Sequence, residues 1–136
     1  MPRAMWLFRL ALPGLALSGA LLAGCGGGSK TIVDRDRVLR LTLDEYRILP
    51  ERVAVAPGRI HIVARNVGRL THNVVVERGG ATSQTSPQVL ARTATAHAGQ
   101  TVTTSVFLRP GTYQLVCTIA NHENLGQFAT LYVRSR

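Results

Sequence analysis

Four residues of this 136-residue chain have side chains that can do chemistry together: His72, Cys117, His122 and Gln127. The last three follow the spacing C-x4-H-x4-Q. A thiol near two imidazoles has three readings. It is a buried inert cysteine with unrelated histidines, a set of metal ligands, or a nucleophile with a histidine base. The chain has only two cysteines. That excludes a disulfide framework and a cysteine-rich zinc or iron–sulfur module. The other two histidines read differently. His61 alternates outward between Ile60 and Ile62, and His97 lies in an irregular stretch, so both are expected to be solvated. Glu123, beside His122, reads as an exposed loop carboxylate.

The elements that must position these residues read as short strands. Val38 to Asp44 puts Leu39, Leu41 and Leu43 on one face, and Val53 and Val55 continue the pattern. Arg59 to Asn66 directs Ile60, Ile62 and Ala64 inward, and Asn66-Val67-Gly68 turns the chain. His72 to Arg78 is rich in Val. Thr101 to Arg109 places Val102, Val106 and Leu108 together before a Pro110-Gly111 turn. Thr112 to Cys117 puts Tyr113, Leu115 and Cys117 on one face, and Gln127 to Arg134 closes with Ala129, Leu131 and Val133. Period-two runs bounded by turn residues predict an all-β sandwich or barrel. Gly79 to Gln100 breaks the pattern, being rich in Ala, Thr, Ser and Gly. It is expected to cross between two sheets, with Ser86-Pro87 capping a short helical turn that holds Val89 and Leu90.

The N-terminal segment reads as an address. Arg3 and Arg9 precede an apolar run of 14 residues, Leu10 to Ala23. A membrane-spanning helix needs about 20, so a secretory signal is expected. Leu22-Ala23-Gly24-Cys25 resembles a bacterial lipobox, in which the cysteine becomes the lipidated first residue. Residues 1–24 are then the signal peptide, and residues 25–36 the lipidated Cys25 and a flexible Gly/Ser tether. Residues 37–136 form the single domain. With Cys25 lipidated, Cys117 is the one thiol left, in a compartment where thiols oxidise.

The strand beginning Thr71-His72-Asn73 and the run Gly111-Thr112-Tyr113-Gln114-Leu115-Val116-Cys117, with His122 beyond, resemble the cupredoxins, the blue-copper family. The resemblance spans about residues 37–134. It implies a Greek-key β-sandwich or barrel of about seven to eight strands, with one type 1 copper ion held by His72, Cys117 and His122. A thiolate and two imidazoles suit both oxidation states of copper, and a weak axial ligand tunes the potential. Gln127 stands where many cupredoxins have Met. Its harder oxygen is expected to coordinate axially and lower the potential. Asn73 is expected to tie the first-ligand strand to the Cys strand, with Thr118 serving the same end.

The chain carries 16 Lys+Arg against 7 Asp+Glu, a net charge of +9. Hydrophobic residues make up 46%, which argues against disorder. Phosphate-cradling Gly-rich loops are absent from the sequence, as are the H-x-H groups of copper enzymes. The resemblance then implies electron transfer, expected outside the cytoplasmic membrane, and not catalysis. The expected partners are a redox protein, steered by the basic charge if its surface is acidic, and the membrane through the lipid. Export argues against nucleic acid as a partner, and a monomer is expected. The resemblance implies that electrons pass through the ring edge of His122, with Gly68, Leu70, Ile119, Ala120 and Leu125 around it. The alternative is a copper carrier or sensor without electron-transfer turnover. Its lack of Met clusters outside the signal segment counts against that reading.

Overall fold

The computed structural model describes residues 30–31, 37–79 and 86–135. The signal segment, Cys25 and most of the tether lie outside the described residues. Among the described residues ten strands follow one another: β1 (Lys30–Thr31), β2 (Val38–Asp44), β3 (Arg47–Leu49), β4 (Arg52–Val55), β5 (Gly58–Asn66), β6 (Val75–Arg78), β7 (Gln88–Arg92), β8 (Thr101–Leu108), β9 (Gly111–Val116) and β10 (Phe128–Val133). They form a six-stranded sheet ordered β1-β4-β10-β9-β6-β7 and a four-stranded sheet ordered β3-β2-β5-β8. The chain passes repeatedly between the sheets, and both contain parallel and antiparallel pairs. Among the described residues no helix is long and apolar enough to cross a membrane.

Strict alternation builds the core. Along β5 every second side chain is buried, so Ile60, Ile62 and Ala64 face the other sheet while Arg59, His61 and Arg65 face water. Leu39, Leu41 and Leu43 of β2 do the same one strand away. Ala129, Leu131 and Val133 of β10 and Tyr113 and Leu115 of β9 meet them from the six-stranded sheet. A register slip of one residue would turn these apolar rows outward, so the pattern fixes the pairing.

Three strands were not expected from the sequence: β1, β3 and β7. Each is five residues or fewer, too short to show a period. The Ser86-Pro87 helical turn is not formed. Val89 and Leu90 belong instead to β7, an edge strand paired with β6 across a bulge at Val76/Glu77. Val89 stays exposed, while Leu90 and Ala91 pack on the core; the ladder to β6, not an alternating pattern, makes the segment a strand. The crossing between sheets does occur, after β7 and before β8.

Candidate metal centre

His72, Cys117, His122 and Gln127 converge at one end of the sandwich. The strand β9 ends at Val116, and Cys117 follows it into a looped segment that returns at β10. The loop organises itself. The Cys117 N–H donates to the Gln127 carbonyl at 3.1 Å, closing the base. The His122 carbonyl accepts from the N–H groups of Leu125 at 3.1 Å and Gln127 at 3.0 Å. Left-handed backbone at Ala120 (φ 49) and Gly126 (φ 109) bends the chain on either side of His122. His72 arrives from the segment before β6, pinned by reciprocal backbone bonds with Ala96 at 3.0 and 2.7 Å.

One potential ligand atom from each of His72, Cys117 and His122 lies within 4.8 Å of the other two. The Cys117 Sγ is 3.6 Å from His122 Nδ1. The two imidazole rings are 5.1 Å apart between centroids. Cys117, His72 and Gln127 are wholly buried, and His122 keeps 8% of its surface in water. Among the described residues, both nitrogens of His72 and the Oε1 of Gln127 lack a hydrogen-bond partner. Burying such groups unpaired costs about 1–3 kcal/mol each. A cation bound among them would satisfy one nitrogen of His72 and the Gln127 oxygen. Burial, and then the neighbouring His122, hold the His72 imidazole below its ordinary pKa, against smaller opposing effects of Gln127 and Glu45. The ring therefore presents a neutral nitrogen, which is the ligating form.

The amide of Gln127 has a fixed sense. Its Nε2 donates to the Asp44 carbonyl at 2.9 Å and approaches the Arg47 carbonyl at 3.5 Å. Carbonyls only accept, so the nitrogen must face the hairpin. The oxygen is left as the unpaired end.

Surrounding residues stiffen the set. Asn73 Oδ1 accepts the Thr118 N–H at 2.9 Å, and its Nδ2 donates to Thr118 Oγ1 at 3.1 Å. Arg92 donates to the same hydroxyl at 2.8 Å. Asn73 thus ties the two ligand segments as expected. Thr118 joins that link. His61 is outward, with Nδ1 2.8 Å from Ser105 Oγ, and His97 and Glu123 are exposed.

Sequence reading missed Asn66, Glu45 and Tyr46 as parts of the site. Asn66 is fully buried. It donates to the carbonyls of Leu70 and Ala96 at 2.7 and 2.9 Å and accepts the Gly68 N–H at 2.9 Å, so the turn at Asn66 is also the clamp behind His72. Tyr46 stands edge-on to His122, with ring centroids 5.5 Å apart. Glu45 Oε1 lies 3.7 Å from His72 Nε2. Both sit on the hairpin between β2 and β3. Backbone N–H groups of Leu70 and Arg69 hold the Glu45 carboxyl down at about 2.

No protein-family model and no curated protein matches the chain. Solved structures do. A dithionite-reduced auracyanin from the photosynthetic bacterium Roseiflexus castenholzii is 19% identical, with a TM-score of 0.64, over 73% of this chain and 98% of that one. Auracyanin A, a blue copper protein of the green thermophilic photosynthetic bacterium Chloroflexus aurantiacus, is 18% identical, with a TM-score of 0.62, over 71% and 98%. Reduced rusticyanin is 16% identical, with a TM-score of 0.56, over 76% and 83%. The fold is that of the cupredoxins. Within this cupredoxin sandwich, His72, Cys117 and His122 form a cluster that fits a single type 1 copper site.

Proposed function

We propose that this cupredoxin-fold chain is a lipid-anchored electron carrier working outside the cytoplasmic membrane. His72, Cys117 and His122 would hold one copper ion, with Gln127 Oε1 as a fourth, weaker donor. One observation carries the reading: a thiol and two imidazoles converge in a buried site where, among the described residues, the His72 nitrogens and Gln127 Oε1 have no hydrogen-bond partner. Copper supplies a one-electron change there. The protein's part is to hold the donors still through that change, which the Asn66 and Asn73 hydrogen bonds and the closed Cys117–Gln127 loop do. A binding set that need not rearrange favours electron transfer.

His122 is the exit. It alone of the four residues reaches the surface. Exposed Leu70, Leu125 and Tyr46 lie on the segments that enclose the histidines. Such apolar surface suits brief docking of a redox partner. The excess of Arg steers a partner with an acidic face. The domain, residues 37–136, acts as a monomer joined to a lipid on Cys25 through residues 25–36, of which Lys30–Thr31 pairs with β4 instead of hanging free as a tether. The lipobox-like Leu22-Ala23-Gly24-Cys25 supports that anchor; loss of lipid labelling in Cys25→Ala tests it.

The burial of all the donors argues against a copper carrier, which must hand the ion on. Cu(I)-loaded protein challenged with a Cu(I) chelator separates the two. Retention through both redox states supports the electron carrier; rapid release would overturn it.

A further inference from the structure

The hairpin joining β2 to β3 brings an acid to a place where the basic chain has few. Glu45 Oε1 accepts the N–H groups of Arg69 at 2.6 Å and Leu70 at 2.9 Å. The same oxygen faces His72 Nε2. Gly68 completes the seat. A Cβ at that position would run into the Glu45 carboxylate, so the loop must have glycine there for the acid to lie down on it. This glycine is needed for close approach, not for an unusual φ. Two backbone donors and one missing side chain thus aim one carboxylate oxygen at the outer nitrogen of a buried imidazole.

We propose that Glu45 is a positioning residue that orients His72 and tunes the charge balance of the metal centre. The inference rests on the copper reading above. Glu45 Oε1 stands 3.7 Å from Nε2, an ion-pair distance longer than a hydrogen bond, which leaves Nδ1 as the nitrogen for the metal. A carboxylate on the far side of a ligating imidazole fixes its tautomer and ring plane and raises its basicity. A negative charge so close also favours the more highly charged Cu(II) state. The rest of the hairpin acts with it: Asp44 and Arg47 hold the Gln127 amide through their carbonyls, and Tyr46 abuts His122.

The test uses the full chain, copper-loaded, in wild-type, Glu45→Gln, Glu45→Ala and Gly68→Ala forms. Glu45→Gln keeps an oxygen for the Arg69 and Leu70 amides and removes the charge. It should keep the thiolate-to-copper absorption band while its reduction potential rises, the ratio of Cu(II) to Cu(I) affinity falling by about tenfold. Gly68→Ala, which pushes the carboxylate away without removing it, should shift the potential in the same direction. In Zn(II)-loaded protein, nitrogen NMR should show a slowly exchanging His72 Nε2–H in wild type and Glu45→Gln, and its loss in Glu45→Ala. An intact band with an unchanged potential in Glu45→Gln would reduce Glu45 to a loop anchor and overturn the proposal. A wild-type chain with no such band would overturn the copper reading itself, and the proposal with it.

Discussion

The Cys117–Gln127 loop and the β2–β3 hairpin meet at the same site and were built by different means. The loop holds three candidate ligands within one stretch of sequence, and its own backbone bonds shape it: Cys117 to Gln127, and Leu125 and Gln127 to the His122 carbonyl. The hairpin supplies no donor to the cluster and belongs to the opposite sheet. Yet its Asp44 and Arg47 carbonyls orient the Gln127 amide, Tyr46 stands against His122, and Glu45 faces His72. The loop makes metal binding possible. The hairpin decides how the donors present themselves.

That division can be broken from either side. Cys117→Ser should have the largest effect, removing the thiolate band entirely while the sandwich still folds; a retained band would move the sulfur ligand elsewhere. Asn66→Ala is next. It removes the side-chain bonds to the Leu70 and Ala96 carbonyls and takes the acceptor from the Gly68 N–H, and should cost about 2–3 kcal/mol of stability, read as a lower denaturant midpoint. Gln127→Met should raise the potential, because a thioether is softer than an amide oxygen. It should also cost about 1 kcal/mol through the lost bond to the hairpin. An unchanged potential would take Gln127 out of the coordination sphere. Tyr46→Ala should be smallest, under about 1 kcal/mol, with the band unmoved.

How legible each region was follows from its physics. The core strands were legible because a half-buried strand must alternate, and β2, β5, β9 and β10 do. The cluster was legible because Cys117 and His122 are rare in type and, with Gln127 close by, match the strand-and-loop pattern of the family that the sequence resembles. The hairpin was not. β3 has three residues, Arg47–Leu49, which cannot display a period. Nothing in the isolated string Asp44-Glu45-Tyr46-Arg47 says that it folds over a site formed far along the chain. A glycine at 68 followed by amides that could seat an acid was a faint signal, visible only once Glu45 was known to lie there. The misread Ser86-Pro87 turn has the same origin: pairing with β6 outweighed a local helix-start signal.

Acid should reveal the same contrast in the metal-free protein. His72 has a folded pKa lowered from the unfolded value of 6.5. Below 6.5 the unfolded chain takes up a proton that the folded chain resists, so stability falls as pH drops through that value and levels off below the folded pKa. Glu45 acts in a lower window. Its folded pKa of about 2 lies under the ordinary 4.5, so its contribution is present above 4.5 and is lost as pH falls towards 2. Thermal unfolding between pH 8 and 3 should show the first loss vanish in His72→Gln and the second shrink in Glu45→Gln.

The most direct test of the central claim is the visible absorption of the full chain loaded with Cu(II). An intense thiolate-to-copper band that bleaches on reduction, returns on reoxidation and is absent from Cys117→Ser is the expected result. A colourless protein whose Cys117 thiol titrates freely after loading would contradict the account.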